Sequence, residues 1–197
     1  MKAGGRRDAL HPKFIVGIGG SAGALNAYKA LLEALSPDTD MAFVIISHMS
    51  PSAYSQLALI LSRYTKMPVI VASMKMPVRR NHVYVIPNGA DLLIENYMFK
   101  VLSPRSVGHR QIDVFFISLA EAIAAQAIGI VLSGYDSDGT EGCKQIKAKG
   151  GITFAQDISA EVIQMPLSAE ASGCIDFVMP PDKISGKLKK LAAAIKK

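Results

Sequence analysis

The chain has 197 residues, half of them apolar, and a formal net charge of +6. This length and composition predict one α/β-sized domain with a sizeable core and disfavour extensive disorder. The positive charge is concentrated at the C-terminal end, in Lys183, Lys187, Lys189, Lys190, Lys196 and Lys197. No aromatic residue lies among these lysines, so they indicate a solvated basic helix rather than a nucleic-acid-binding surface.

Targeting and metal-binding signals are lacking. The segment 1–12 is basic without an apolar stretch, which predicts a flexible leader in a cytoplasmic protein rather than a secretory signal. The longest apolar stretch, 114–132, divides into a helix and a strand rather than forming a membrane span. Cys143 and Cys174 have no CxxC spacing and no neighbouring histidine pair, so they are predicted to be buried, reduced thiols.

Apolar runs alternate with amphipathic segments along the chain. Strand-length runs lie at 14–18, 41–46, 69–72, 81–86, 92–95, 99–102, 129–132, 152–155 and 177–179. Helical patterns lie at 24–35, 52–65, 112–126, 140–149, about 166–172 and in the tail. The alternation predicts an α/β fold with a doubly wound, mostly parallel sheet and helices on both faces.

Two further expectations concern organisation. Strand 81–86, turn 87–90 and strand 92–95 predict an antiparallel β-hairpin insertion, with 99–102 as another short strand. Residues 13–182 are predicted to form a single domain, and 183–197 its basic C-terminal helix.

The most informative segment is the glycine-rich turn Gly17-Ile-Gly-Gly-Ser-Ala-Gly23 between the first strand and the first helix. Gly17-x-Gly19-x-x-Ala22 resembles a dinucleotide fingerprint, whereas Gly19-x-Ser21-x-Gly23 resembles a nucleophile elbow. A dinucleotide site needs a carboxylate at the end of the second strand, and that strand ends in Ser47-His48, which disfavours it. A serine in this position can also simply cap the helix.

Three polar residues follow predicted strands, namely Ser21, His48 and Asp138. Ligands of open α/β sheets bind at the carboxyl ends of the strands, where these three could converge. A serine nucleophile needs a base, and a histidine base needs a carboxylate to orient it. Each residue also has a structural interpretation, since loop histidines and turn aspartates are common. The order Ser, His, Asp differs from that of α/β-hydrolases and implies another hydrolase scaffold.

Seven motifs follow one another along 14–181. They are Gly17-Ile-Gly-Gly-Ser-Ala-Gly, Phe43-Val-Ile-Ile-Ser-His-Met-Ser-Pro51, Val83-Tyr-Val-Ile-Pro87, Ile112-Asp-Val-Phe-Phe-Ile-Ser-Leu-Ala120, Gly129-Ile-Val-Leu-Ser-Gly134, Ser137-Asp-Gly-Thr140, and Ala155-Gln-Asp157 with Met165-Pro166. In this order they resemble the catalytic domain of chemotaxis protein-glutamate methylesterases, above all the form fused to a chemoreceptor methyltransferase.

The resemblance implies a serine hydrolase with Ser21 as nucleophile, His48 as base and Asp138 as the orienting carboxylate. It implies a backbone oxyanion donor at Tyr135, and we assign Ala22 as the second donor. The implied activity is hydrolysis of glutamate methyl esters on the signalling helices of methyl-accepting chemoreceptors, with deamidation of some glutamines. No metal, organic cofactor, nucleic acid or membrane insertion is implied.

The chain departs from the family pattern in three places. Ala22 replaces the common threonine after the nucleophile, so one hydroxyl is absent. Gly134-Tyr135-Asp136 stands where relatives usually have Gly-Met-Gly or Gly-Thr-Gly. We expect Asp136 to fit this loop less well than glycine and to modulate the site by adding a second carboxylate near His48. Only 1–13 precede the first predicted strand, so a regulatory receiver or methyltransferase domain is expected on another chain or in a larger fusion.

The alternative function is a non-hydrolytic scaffold of the same fold that binds a receptor or signalling partner, its oxyanion loop altered by Asp136. A fluorophosphonate probe distinguishes the two, because it reacts only with an activated serine. For a hydrolase we expect pH-dependent labelling that Ser21→Ala abolishes, measured by mass spectrometry. Absence of labelling in the wild-type chain would favour the scaffold.

Overall fold

The computed structural model describes residues 11–48, 54–105, 108 and 110–194. The strands are β1 (Ile15–Gly20), β2 (Ala42–Ser47), β3 (Val69–Val71), β4 (His82–Val85), β5 (Asp91–Glu95), β6 (Met98–Leu102), β7 (Ala127–Val131), β8 (Ile152–Gln156) and β9 (Phe177–Met179). The helices are α1 (Ala24–Ala34), α2 (Tyr54–Leu61), α3 (Gln111–Ile123), α4 (Thr140–Ala148), α5 (Gln164–Ala171) and α6 (Pro181–Ala194). Most of the predicted leader and the end of the predicted tail helix lie outside the described residues.

Seven strands form one parallel sheet in the order β3-β4-β2-β1-β7-β8-β9. From β1 the chain moves outward through β2, and it later returns to β7 on the other side of β1. The strand order therefore reverses between β1 and β7, where the loops leaving the two strands diverge. A crevice at the carboxyl ends of such strands is the usual ligand site of a doubly wound sheet.

Alternate residues of the strands supply two separate apolar layers. On one face, Val16 and Ile18 pack in a cluster with residues of α1, α2 and α6. On the other, Ile15 and Val44 share a cluster with residues of α3, α4, α5 and the β5–β6 hairpin. The prediction of helices on both faces is confirmed. None of the helices in the described part is long and apolar enough to cross a membrane.

The hairpin is present but is built from different strands than predicted. β5 and β6 pair antiparallel, and the turn between them, Asn96-Tyr97, has positive φ at both residues, as tight hairpin turns require. The predicted partner β4 instead pairs parallel with β2 and β3. Burial explains the difference, because Val83 and Tyr84 of β4 fill opposite faces of the main sheet.

Two helices are shorter than their apolar patterns predict. α2 ends at Leu61 rather than at 65, and the first residues of its predicted span, 52–53, lie outside the described residues. α3 ends at Ile123, where Ala124 has a φ of 47° and a single 3-10 turn completes the predicted span. Cys143 and Cys174 are buried and not disulfide-bonded, which confirms the prediction of reduced thiols.

Helix α3 packs closely against β1 because two residues of that strand have no side chain. A Cβ at Gly17 would stand 2.6 Å from the Phe116 ring, and one at Gly19 would overlap Ile112. Both distances are below what packed carbon atoms allow. This close packing places the first turn of α3 directly against the carboxyl end of β1.

We expect Gly17→Ala to destabilise the fold by about 1–3 kcal/mol, because the new methyl group must displace a buried aromatic ring. Urea unfolding measures the effect. Gly186→Ala is the matched control, since Gly186 is exposed within α6 and nothing lies near its Cβ position. That change should stabilise the chain by about 0.5–1 kcal/mol through helix propensity. Equal effects of the two substitutions would contradict the packing argument.

Candidate active site

Ser21 lies in the tight turn between β1 and α1. Its backbone N–H donates to the Ser133 carbonyl at 2.8 Å, and its own carbonyl accepts from the Ala24 N–H at 3.1 Å. The residue that caps α1 is Gly23, at a φ of 73°, and no side chain caps this helix. The helix-cap interpretation of Ser21 is therefore wrong, and the turn leaves the hydroxyl available for chemistry.

His48 and Asp138 form a buried pair. His48 Nε2 lies 2.7 Å from Asp138 Oδ2, and the side chains are only 6% and 1% exposed. The short distance identifies Nε2 as the nitrogen that donates, because a carboxylate oxygen accepts. Asp138 thus holds the imidazole in one orientation and one tautomer.

Three backbone N–H groups also donate to the Asp138 carboxylate. Ile112 and Asp113 donate at 2.9 and 2.8 Å, and Gly139 donates at 2.9 Å. The first two belong to the first turn of α3, whose N–H groups have no partner within the helix. A buried carboxylate is stable only when it is hydrogen-bonded, and the positive end of this helix supplies the donors.

Asp136 approaches the other side of the imidazole. Its Oδ2 lies 3.4 Å from His48 Nδ1, and its side chain is 42% exposed. Its Oδ1 accepts the Asp138 N–H at 3.0 Å and closes the turn before Asp138. Asp136 is not among the residues with positive φ, so the expected misfit of an aspartate at this glycine position is wrong. The second carboxylate expected near His48 is present.

Ser21 and His48 occupy matching positions at the ends of adjacent strands. The parallel register pairs Gly20 with Ser47, the residues immediately before them. Within the described part of the chain, no hydrogen bond joins the Ser21 hydroxyl to His48. Such contacts are commonly long in a free enzyme and tighten when substrate binds.

The predicted oxyanion donors, Ala22 and Tyr135, have N–H groups that make no hydrogen bond in the described structure. A hydrogen bond to the preceding carbonyl orients each of these peptide planes. The Ser21 carbonyl accepts from Ala24, and the Gly134 carbonyl accepts from Met165 at 2.9 Å. Because C=O and N–H point in opposite directions across a trans peptide, both N–H groups point away from these contacts.

Sequence reasoning missed the residues that hold this site together. Gly134 donates to Val162 and accepts from Met165, and a Cβ at Gly134 would overlap the Met165 side chain. Met165-Pro166 is part of the motifs that carry the family resemblance, but the sequence assigned these two residues no role in the site. Ser133 and Asp113 are both buried. The sequence signals that could have identified them are a polar residue next to a predicted strand end, for Ser133, and an acidic residue in the first turn of a predicted helix, for Asp113.

Asp113 accepts hydrogen bonds from the segment that follows Asp138. Its Oδ1 accepts from the Gly142 and Gly139 N–H groups at 2.8 and 3.0 Å, and Arg110 lies 3.6 Å from its Oδ2. Burial raises the pKa of Asp113 above its ordinary value, opposed by the Gly142 hydrogen bond and reinforced by the nearby Asp138 charge. The site therefore contains a third carboxylate, Asp113, whose ionisation is less favourable than in water.

A depression of about 440 Å³ opens beside the site and is lined by Asp136, Ser137 and Asp138 together with Arg110, Asp113, Thr140, Glu141 and Lys144. A separate cavity of about 390 Å³ lies near the amino ends of β1 and β2, between the end of α1 and the side of α6, and contains no predicted site residue. Among the described residues, no group of three or more histidine, cysteine or acidic side chains is arranged to hold a metal ion.

The fold and this site define a class, the doubly wound α/β proteins with a serine after β1 and a paired histidine and aspartate after β2 and β7. Residues 16–188 match the family described as CheB methylesterase, and the chain belongs to this family. The family resemblance of the sequence motifs is thereby confirmed.

Relatives and a solved structure agree with this assignment. The chain is 33% identical over 172 residues to a putative protein-glutamate methylesterase/protein-glutamine glutaminase of Leptospira interrogans, covering 85% of this chain and 89% of that protein. It is 37% identical over 186 residues to protein-glutamate methylesterase/protein-glutamine glutaminase 3 of Burkholderia orbicola, covering 88% of this chain and 52% of that protein. The Thermotoga maritima CheB methylesterase catalytic domain superposes with a TM-score of 0.83 at 28% identity, covering 90% of this chain and 98% of that domain.

Asp113→Asn tests whether the raised pKa of Asp113 changes the pH dependence of stability. Because the folded chain holds the Asp113 proton more tightly than the unfolded chain, stability is lost as pH rises through the raised pKa. Relative to wild type, Asp113→Asn should therefore gain stability with rising pH between about pH 3 and pH 7. Urea unfolding across this range gives the difference.

Asp176→Asn is the control of opposite sign. Burial opposes ionisation of Asp176, but hydrogen bonds from Thr153 and Lys147 outweigh it and lower its pKa. Its stabilisation is present above the ordinary carboxyl pKa and is lost as pH falls through the lowered value, so Asp176→Asn should lose stability relative to wild type as pH rises. Slopes of the same sign for both variants would contradict this account.

Proposed function

We propose that the chain hydrolyses methyl esters of glutamate side chains on chemoreceptors, and deamidates glutamine side chains there, with Ser21, His48 and Asp138 as its catalytic residues. The observation that carries the proposal is the buried His48–Asp138 pair at 2.7 Å, at the strand end next to the glycine-flanked Ser21. The relatives named as protein-glutamate methylesterase/protein-glutamine glutaminase support the substrate and the reaction.

In the first half of the reaction, Ser21 Oγ attacks the γ-carbonyl carbon of the methylated side chain. His48 Nδ1 takes the hydroxyl proton, because Nε2 is the nitrogen that donates to Asp138. The tetrahedral intermediate then expels methanol, to which His48 returns that proton. A glutamyl ester of Ser21 remains. For a glutamine side chain the leaving group is ammonia.

In the second half, water attacks the same carbonyl carbon while His48 accepts its proton. Collapse of the second intermediate releases the glutamate carboxylate, and Ser21 regains its proton from His48. Each half-reaction forms an imidazolium with Asp138 at 2.7 Å and Asp136 at 3.4 Å. We propose that Asp136 stabilises this imidazolium through Nδ1, the nitrogen that accepts and returns the proton. In this way Asp136 modulates the site.

The oxyanion is held in this proposal by the N–H groups of Ala22 and Tyr135. Both lack a hydrogen bond in the described structure, and both belong to peptide planes whose orientation is set from the carbonyl side. Donors fixed before the reaction stabilise the developing charge without further reorganisation. The loss of one such donor typically lowers kcat about 10²–10³-fold.

The proposed partner is the chemoreceptor signalling helix that carries the modified side chain, in the cytoplasm. A regulatory receiver or methyltransferase domain acting from another chain or a larger fusion is also a proposal. The scaffold alternative rests on an oxyanion loop altered by Asp136; the absence of a positive φ at Asp136 supports the hydrolase over it.

Ser21→Ala should lower methanol release from a methylated chemoreceptor fragment by several orders of magnitude, on the order of 10³–10⁶-fold. His48→Ala should do the same, since without a base the serine stays protonated. Gas chromatography of methanol measures the loss. Ser118→Ala, which removes a buried hydroxyl from the middle of α3, should retain activity. Release at the wild-type rate by Ser21→Ala would overturn the proposal.

A further inference from the structure

Ser133 lies two residues after β7, is fully buried and uses every polar group it has. Its carbonyl accepts from the Ser21 N–H at 2.8 Å, and its N–H donates to Gln156 Oε1 at 3.0 Å. Its hydroxyl donates to the Ala22 carbonyl at 2.7 Å and accepts from the Val162 N–H at 2.9 Å. One small side chain thus joins the turn after β1 to the segment after β8.

These contacts are made by groups next to both proposed oxyanion donors. Ala22 is held through its own carbonyl by the Ser133 hydroxyl. Tyr135 lies two residues beyond Ser133. The N–H of the intervening Gly134 donates to the Val162 carbonyl, and the N–H of the same Val162 donates to the Ser133 hydroxyl. The separation of the two N–H groups therefore depends on the hydroxyl that bridges Ala22 and Val162.

The space around the hydroxyl is closed. A Cβ at Gly23 would lie 2.7 Å from Ser133 Oγ and 2.7 Å from the Glu161 side chain. The carbonyl of Ala22 and the N–H of Val162 would lose this partner if the hydroxyl were removed. A buried backbone group without a partner is costly, so the chain would move to satisfy it.

We infer that Ser133 is a positioning residue for the reaction. Its hydroxyl sets the distance between the Ala22 and Tyr135 N–H groups, and so the fit of the oxyanion hole to the transition state. The inference rests on the proposed function. It assigns Ser133 no contact with substrate and no proton transfer.

Ser133→Ala is the direct test, assayed for methanol release from a methylated chemoreceptor fragment and for inhibition by phenylboronic acid. Boronic acids form a tetrahedral adduct with an active serine and place an oxygen in the oxyanion hole, so their affinity follows transition-state fit. We expect kcat to fall about 10–100-fold with KM within about twofold, because a misplaced donor weakens only the transition state. The inhibition constant of the boronic acid should rise in parallel.

Two further variants separate positioning from general destabilisation. Ser118→Ala removes an equally partnered hydroxyl, which donates to the Phe115 carbonyl at 2.8 Å and accepts from the Ile94 N–H at 3.2 Å. It should lower the melting temperature comparably and leave kcat and boronic-acid inhibition unchanged. Gln156→Leu removes the acceptor of the Ser133 N–H and should reproduce the Ser133→Ala kinetics in weaker form. If Ser133→Ala does not fold, the decision passes to Gln156→Leu under the same criteria.

The outcomes are distinct. A parallel loss of kcat and boronic-acid affinity in Ser133→Ala, absent in Ser118→Ala, supports the inference. A kcat within about threefold of wild type, or an equal loss in Ser118→Ala, overturns it. If wild type itself releases no methanol in a Ser21-dependent manner, the proposed function fails instead.

Discussion

One buried carboxylate, that of Asp138, connects the helix α3, the loop after β7 and the imidazole of His48. It accepts from two N–H groups of the first helical turn, from Gly139 and from His48. Removing a charge from water is expensive, and four donors compensate for it here. The same hydrogen bonds cap a helix that has no side-chain cap of its own at Arg110. The same set of hydrogen bonds therefore orients the histidine and caps the N-terminus of α3.

That arrangement depends on how closely α3 approaches the sheet. Gly17 and Gly19 lack the side chains that would hold Phe116 and Ile112 away from β1. If the helix lay further out, its first N–H groups could not reach a carboxylate that also touches His48. The glycines at the centre of the sheet are thus required for the position of α3 at the site.

The second device of the site is the fixing of peptide planes. The segment around Val162 and Met165 holds Gly134, and Ser133 holds Ala22, so both proposed oxyanion donors are oriented by contacts on their far sides. The site also carries a cost, because Asp113 is buried beside the charge of Asp138 and its pKa is raised. Unfavourable local electrostatics of this kind are common where a protein trades stability for function.

The sequence by itself determined the doubly wound sheet and the helices on both faces, and it predicted Ser21, His48 and Asp138 as site residues. These follow from local patterns, because strand-length apolar runs, helical periodicity and polar residues at strand ends are readable without knowing any long-range contact. Tertiary structure alone decided that β4 joins the main sheet and that Asp136 fits its loop. It also decided that Ser133 bridges two strand ends, since its partners lie far away in sequence. Pairing and hydrogen bonding of this kind depend on which strands become neighbours, and no local pattern encodes that choice.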